Sequence, residues 1–415
     1  MRVPVAWTAV SAPSTIDTDV LVVGGGPAGA AAAITLARAG RSVLVVDKAL
    51  FPRDKCCGDG LTTLALRELE PLGFEPAMVP NWRPVESTWL RSPSGREVCL
   101  PMPAGGQFAA TAPRREFDAA LVDLAVKAGA DVRQGCAITA IRAFVDHVEA
   151  DVADLGTVSA QFVIAADGMW SPTLKLLGMP GEGYRGEWSA FRQYARNVNG
   201  AAESRLYVWF EPDLLPGYAW SFPLPDGRVN IGYGVVRDGD PNGRKGKDLK
   251  DLWADLWQRP HIAAALGPDV EFEDRATAWP IPAAVDESVL AAGRVLFVGD
   301  AARATDVMTG EGIGQALLTG RLAAEAIVER APDDVAFRYR TAVRHELFTD
   351  HRVSKVLNRL LARPLLARGA VRVVGLNGFT RRNFVRWMFE DEPRAIAITP
   401  RRWHRRFLRR PAPYR

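Results

Sequence analysis

A short β-branched run, Asp19 to Val23, ends in Gly24-Gly25-Gly26-Pro27-Ala28-Gly29. Small helix formers follow from Ala30 to Ala39, closed by Gly40, and a second apolar run, Ser42 to Val46, stops at Asp47. Strand, glycine turn, helix and strand in this order make a βαβ unit. The Gly24-x-Gly26-x-x-Gly29 spacing within it is that of a dinucleotide-binding turn. Glycine closes the turn, lets backbone approach a pyrophosphate, and lets the helix pack on the strand. The helix start at Pro27 and Ala28 offers free N–H groups and a partial positive charge to phosphates. Asp47, followed by Lys48, lies about twenty residues on, where a carboxylate accepts ribose hydroxyls. This unit alone does not separate FAD from NAD.

Two distant stretches do. Val295 to Ala302 reads as a buried strand running into Gly299-Asp300, and it resembles the strand that in many FAD enzymes brings an aspartate, here Asp300, to the ribityl and pyrophosphate region. Thr309-Gly310-Glu311-Gly312-Ile313-Gly314 then opens a long helix. Its free N–H groups are expected to point at the flavin edge that gains negative charge on reduction. A third stretch, Gln161 to Ala166 followed by Asp167-Gly168, is again a strand entering an Asp-Gly turn.

Between these pieces the texture changes. Pro76 to Pro103 is rich in Pro and Trp without a helical period, and Phe117 to Gly129 reads as an amphipathic helix. Tyr184 to Trp279 alternates apolar and polar residues around turns such as Asp226-Gly227, the pattern of an antiparallel sheet. The fold expected is α/β: a discontinuous Rossmann-like FAD-binding domain (19–75, 108–180, 286–330). A β-rich substrate domain is inserted into it (76–107, 181–285), and a helical, basic C-terminal region follows (331–415).

Composition narrows the setting. The 415 residues are 48% hydrophobic and 24% charged, as in ordinary globular proteins. Twelve tryptophans imply either aromatic surface around a flat or greasy ligand or a Trp-rich core. Cys56, Cys57, Cys99 and Cys136 form neither a disulfide framework nor a zinc-ligand pair, so no metal is expected. Met1 to Asp17 lacks the apolar run of a signal peptide, and no stretch of about eighteen apolar residues is present. A reducing cytoplasm is the expected location. Arg394 to Arg415 holds eight arginines and no acid, more than the whole net charge of +4. With Trp403, Phe407 and Leu408 interleaved, this run suits the anionic inner face of a membrane rather than nucleic acid.

Together the three glycine-containing signatures resemble the flavoprotein monooxygenase superfamily. Phe51-Pro52-Arg53-Asp54-Lys55-Cys56-Cys57-Gly58-Asp59-Gly60-Leu61 is similar to the segment after the second strand in its geranylgeranyl reductase family. Tyr218-Ala219-Trp220-Ser221-Phe222-Pro223, followed by Gly232-Tyr233-Gly234, is similar to that family's aromatic substrate-pocket motif. The resemblance covers roughly residues 19 to 330. It implies FAD contacts at Gly24, Gly26, Gly29, Asp47, Arg114, Asp167, Gly168, Asp300, Gly310 and Gly312, with Arg114 meeting the pyrophosphate region. Pro27, Ala28, Lys48, Gly58, Gly299 and Ile313 adjoin these positions and complete the expected cofactor set. Cys57 would lie near the flavin ring, where it tunes the flavin or handles a proton. Tyr218 and Trp220 would act on the substrate, with Phe222, Gly232 and Gly234 lining its pocket. Two positions depart from the pattern: Val307-Met308 replaces the proline that usually follows the loop aspartate, and Arg303 is large and charged for its turn.

The chemistry implied is saturation of isolated C=C bonds in an isoprenoid chain. Hydride comes from reduced flavin, and placement supplies much of the catalysis. A monooxygenase or epoxidase acting on a terpenoid or aromatic product is the alternative, and a non-catalytic flavin-bearing lipid binder the third. No second glycine fingerprint is present for NAD(P)H. Either the nicotinamide docks transiently or a small electron carrier reduces the flavin.

Overall fold

The computed structural model describes residues 15–181, 183–237, 246–329, 332–396 and 410–415. Strands Val295–Phe297, Gly156–Ala165, Ile16–Val23, Val43–Asp47 and Asp131–Gln134 run parallel, in that order, through an eight-stranded sheet. Val20 to Val23 and Val43 to Val46 are buried along their whole length. Sheets covered on both faces demand such runs, which is why these strands read as continuous apolar stretches. A hairpin, Ile138–Ala143 with Val148–Val152, extends the sheet antiparallel to Gly156–Ala165. Helices Pro27–Arg38 and Ile313–Glu329 pack together. A Cβ at Gly320 would stand 2.1 Å from the Ala28 carbonyl oxygen, so the two backbones touch. Segments nearly 300 residues apart in sequence thus form one layer.

The second sheet has seven strands in the order Glu271–Ile281, Trp188–Arg196, Val229–Val236, Tyr218–Pro223, Leu206–Trp209, Ser87–Arg91 and Glu97–Pro101. All neighbours are antiparallel except Leu206–Trp209 and Ser87–Arg91. The mixed α/β architecture with an antiparallel sheet and a helical C-terminal region agrees with the sequence. One expectation needs correcting, because two helices, Gly246–Leu256 and Pro260–Leu266, interrupt the strand texture. Leu249, Leu252, Trp253 and Leu256 recur at helical spacing, and this face covers Phe191 and Tyr233 of the sheet.

The chain ends in helices Val335–Val343, Thr349–Leu361, Pro364–Val374 and Gly378–Met388. Among the described residues no helix is long and apolar enough to cross a membrane. Trp403, Phe407 and Leu408 of the basic run lie outside the described residues. The run is not uniformly a solvated tail. Arg394 is buried, and its guanidinium donates to Asp306 Oδ1 at 2.6 Å and to Glu390 Oε1 at 3.2 Å. The last residues dock back on the nucleotide-binding layer, with the Tyr414 hydroxyl donating to the Phe74 carbonyl at 2.8 Å.

Candidate active site

A cavity of about 920 Å³ runs from the turn after Val23, past the Cys57 loop and the aromatic strand, to the C-terminal helices. Its nucleotide end is built from backbone. Gly24 has φ +109°, and a Cβ there would stand 2.3 Å from the Ala166 carbonyl oxygen. A Cβ at Gly29 would stand 1.8 Å from the Gly24 carbonyl oxygen. Gly24, Gly26, Pro27 and Ala28 line the cavity, whereas Gly29 packs behind the turn. Among the described residues no side chain caps helix Pro27–Arg38, so its first N–H groups stay available to an anion. Asp47 Oδ2 accepts from the Gly25 N–H at 2.7 Å, holding the turn, and Asp47 and Lys48 both line the cavity.

Asp167 contributes a polar oxygen that needs a donor. Its Oδ2 accepts from the Thr173 N–H at 2.8 Å, while the buried Oδ1 has no partner among the described residues. Burial raises its pKa. Gly168 beside it takes φ +80° and also lines the cavity. Gly299 takes φ +58°, and Asp300 meets Lys55 at 3.3 Å. An uncapped helix start, a glycine-forced backbone approach and an orphaned carboxylate oxygen on one wall fit FAD. Gly24 to Ala28 would hold its pyrophosphate, and Asp47 and Asp167 its hydroxyls.

Arg114 lines the cavity. Its Nε and Nη2 both donate to Asp118 at 2.7 Å, and Arg53 reaches the same carboxylate at 2.8 Å. Its charge is thereby anchored beside Cys57. Cys57 and Gly58 line the cavity. Burial pushes the Cys57 thiol up, outweighing Arg114, so it stays neutral, and Cys56 is pushed to about 11 by burial. Both cysteines are free thiols.

The Cys57 loop is fastened to the second sheet by Asn230 and Arg192. The Cys57 carbonyl accepts from Asn230 Nδ2 at 2.8 Å and from Arg192 Nε at 3.2 Å. Asp59 is fully buried with φ 61°. Its carboxylate accepts from the Tyr194 hydroxyl at 2.6 Å, Asn230 Nδ2 at 2.8 Å and the Arg114 N–H at 3.2 Å. Burial still raises its pKa over these bonds.

On strand Tyr218–Pro223 the rings of Tyr218, Trp220 and Phe222 follow one another at 6.0 and 6.1 Å along one face and line the cavity. Trp220 Nε1 donates to Asn230 Oδ1 at 3.0 Å. Gly234 lines the cavity, but Gly232 does not. A Cβ at Gly232 would stand 2.2 Å from the Trp220 ring, so this glycine makes room for the indole instead of touching substrate. Of the tryptophans, Trp170, Trp188, Trp220, Trp279 and Trp387 border the cavity, while Trp209 and Trp257 are core.

Gly310, Gly312 and Ile313 line the cavity as expected positions would, but the helix start is not free. Glu311 Oε1 accepts from the Ile313 N–H at 2.9 Å and the Gly314 N–H at 3.1 Å. The side chain thus takes up donors that were expected to face a flavin, and it borders the cavity itself. Burial raises the Glu311 carboxyl to about 7. Asp306 shapes this loop. Its Oδ1 accepts from the Met308 N–H at 2.9 Å, the Thr309 N–H at 2.7 Å and the Thr309 hydroxyl at 2.9 Å. Although burial works the other way, Arg394 holds the Asp306 carboxyl below its ordinary range. These side-chain bonds hold the turn in which Val307-Met308 stands. Arg303 adopts a left-handed φ of 52° and stacks at 3.7 Å over Tyr184.

The far end is apolar. Leu90, Val208 and Phe210 face it from the sheet, and Val371, Val374 and Phe384 from the C-terminal helices. The sequence marked those helices but gave no sign that they wall the site.

Residues 17–329 match the family described as "FAD binding domain". The chain therefore belongs to this FAD-binding family of flavoproteins and is an FAD-dependent oxidoreductase. Its place within that class is the geranylgeranyl reductase family, as its relatives show. It is 36% identical over 364 residues to a menaquinone reductase of Mycolicibacterium smegmatis, covering 83% of this chain and 85% of the relative. It is 32% identical over 332 residues to digeranylgeranylglycerophospholipid reductase 1 of Methanopyrus kandleri, covering 77% and 82%. The crystal structure of a geranylgeranyl bacteriochlorophyll reductase-like protein from Thermoplasma acidophilum shares the fold. Its TM-score is 0.76 at 23% identity, over 94% of this chain and all of that one. A halogenase in complex with FAD shares the fold more distantly, with a TM-score of 0.69 at 18% identity, over 92% of this chain and 85% of that one.

Proposed function

We propose that this protein reduces isolated C=C bonds in the isoprenoid tail of a lipid, with a prenylated quinone as the substrate class. The observation that carries the reading is the continuity of the cavity, which joins the nucleotide turn to an apolar end. Its relatives, named as reductases of menaquinone and of geranylgeranyl lipids, support it. FAD, when bound, supplies the hydride.

The chain's own residues bind, orient and protonate. Tyr218, Trp220 and Phe222 form the wall along which an apolar tail lies, and their fixed rings restrict its approach. The Tyr218 hydroxyl donates to the Thr309 carbonyl, which ties this wall to the Glu311 loop. Cys57 presents an uncharged thiol. Glu311 holds a proton on a carboxyl poised near neutrality, where a general acid works best. It is our choice for the proton that reaches the second alkene carbon. The reductant is a nicotinamide nucleotide or a small electron carrier. Such a substrate class favours a position at the cytoplasmic face of a membrane, as does the arginine-rich C-terminal run.

The test is anaerobic turnover of FAD-loaded, dithionite-reduced protein with a long-chain menaquinone, followed by mass spectrometry. After the quinone ring is reoxidised in air, a product whose isoprenoid tail is two hydrogens heavier is expected. A strict need for oxygen, with a product one oxygen atom heavier, would favour the monooxygenase reading and overturn this one.

A further inference from the structure

The three last helices have an outer face that no part of the site uses. From Arg352 to Phe389 the chain carries nine Lys and Arg residues and not one Asp or Glu. Lys355 is neutralised by Asp286 and Glu287, and Arg386 by Asp391. Arg352, Arg359, Arg363, Arg368, Arg372 and Arg382 stand exposed and form no ion pair among the described residues. A run of cations left without counter-charges on a folded surface calls for an anionic partner.

The same face is greasy. Seven of the fifteen large apolar side chains exposed among the described residues fall between Val356 and Phe379, a density that scatter does not explain. Leu365 is 77% exposed, Leu376 65% and Phe379 64%. On helix Thr349–Leu361 the outer stripe is Arg352, Val356, Arg359 and Leu360, at helical spacing. On helix Pro364–Val374 the buried stripe is Ala367, Val371 and Val374, and the opposite side carries Leu365, Arg368, Arg372 and Val373. Arginine interleaved with exposed leucine, valine and phenylalanine is the composition of a helix lying in a lipid interface.

The inner sides of these helices wall the substrate cavity through Leu361, Ala367, Ala370, Val371, Val374 and Phe384. One layer of helix therefore separates the apolar end of the cavity from the cationic, greasy surface. The stretch 397–409 adds five arginines and no acid, so its charge matches that of the face and cannot neutralise it.

We infer that the outer face of helices Thr349–Leu361, Pro364–Val374 and Gly378–Met388 is a docking surface for an anionic lipid bilayer, through which an isoprenoid tail enters the cavity. The entry route rests on the isoprenoid reading above, whereas the docking itself does not. Exposed apolar side chains insert among the acyl chains and the arginines meet lipid phosphates, so both contributions fail together only if the face is wrong.

The test is flotation of the FAD-loaded full chain with phosphatidylcholine vesicles, with and without phosphatidylglycerol. Binding is expected only with the anionic lipid. It should fall at least about tenfold both in Leu365→Ser/Leu376→Ser/Phe379→Ser and in Arg359→Gln/Arg363→Gln/Arg368→Gln/Arg372→Gln. Both variants should keep the flavin spectrum and the turnover of a short, detergent-soluble prenyl substrate, and lose turnover of a long-chain quinone embedded in vesicles. Unchanged vesicle binding in both variants overturns the inference. So does binding lost only when the five arginines from Arg401 to Arg409 become glutamine. Variants that turn a dimer into a monomer while vesicle binding persists would make the face a contact between copies and overturn it as well. Flotation needs no turnover, so the isoprenoid reading can fail in its mass-spectrometric test while this one stands.

Discussion

The two ends of the cavity are built from different materials. At the nucleotide end the working groups are backbone: the turn at Gly24 and Gly26, the uncapped start of helix Pro27–Arg38 and the Asp-Gly turn at Asp167. At the apolar end they are side chains, from strand Tyr218–Pro223, strand Leu206–Trp209 and the helices after Pro364. Gly24 and Gly29 tolerate almost no substitution, because an added Cβ would stand 2.3 Å from the Ala166 carbonyl oxygen and 1.8 Å from the Gly24 carbonyl oxygen. Side-chain sites bend more easily, since a truncated ring leaves space that neighbours or substrate can fill. On the proposed reading the first end would hold FAD and the second an isoprenoid tail.

Replacing Gly29 with valine should break the first end outright. With the Gly24 carbonyl 1.8 Å from the new Cβ, the βαβ turn must open. We expect a loss of about 3 kcal/mol or more in stability and no flavin absorbance in the purified protein. A variant that retained flavin at wild-type occupancy would remove the contrast between the two ends.

At the junction of the ends, Glu311→Gln should lower turnover about a hundredfold or more while flavin is retained. Wild-type turnover should fall as pH rises through about 7, and the variant should lose that limb. Stability follows the same sign. A carboxyl whose pKa rises on folding favours the native state while protonated, and that contribution disappears as pH climbs from 4.5 to about 7. Thermal unfolding across this window should therefore depend less on pH in Glu311→Gln than in the wild type.

Asn230→Ala should loosen the aromatic end together with the Cys57 loop that it fastens. It removes the acceptor for Trp220 Nε1 and the donor to both the Cys57 carbonyl and Asp59. About 2 kcal/mol of stability should go, with a shift in tryptophan emission and a higher KM for the prenyl substrate. Tyr218→Phe should be the mildest change. It loses one hydrogen bond to the Thr309 carbonyl, worth about 1 kcal/mol in stability, with flavin binding untouched. A large loss of flavin in either variant would show that the two ends are not separable.

What was legible divides along the same line. Gly24, Gly26, Asp47 and Asp167 stand in contiguous stretches whose local conformation is the function, so spacing alone exposes them. Tyr218, Trp220 and Phe222 were visible through the resemblance to a family motif, and their alternation on a strand puts them on one face. Asp59 was visible only as a letter in a motif. Its work depends on Tyr194 and Asn230, which arrive from strands more than 130 residues away. Glu311 was likewise read as part of a glycine loop. Only its capping of Ile313 and Gly314 shows that the helix start is occupied and that a carboxyl faces the cavity.

The sequence by itself determined the nucleotide turn and the parallel strands, because glycine sterics and buried β-branched runs are local properties, and its motifs pointed to the flavoprotein class by resemblance. The tertiary structure alone decided three further things. Arg114 is committed to Asp118, Gly232 serves the Trp220 indole, and the C-terminal helices close the apolar end. Each depends on which surfaces meet when distant segments pack. Pairwise contacts over such separations leave no periodicity or spacing in a single chain from which they could be read.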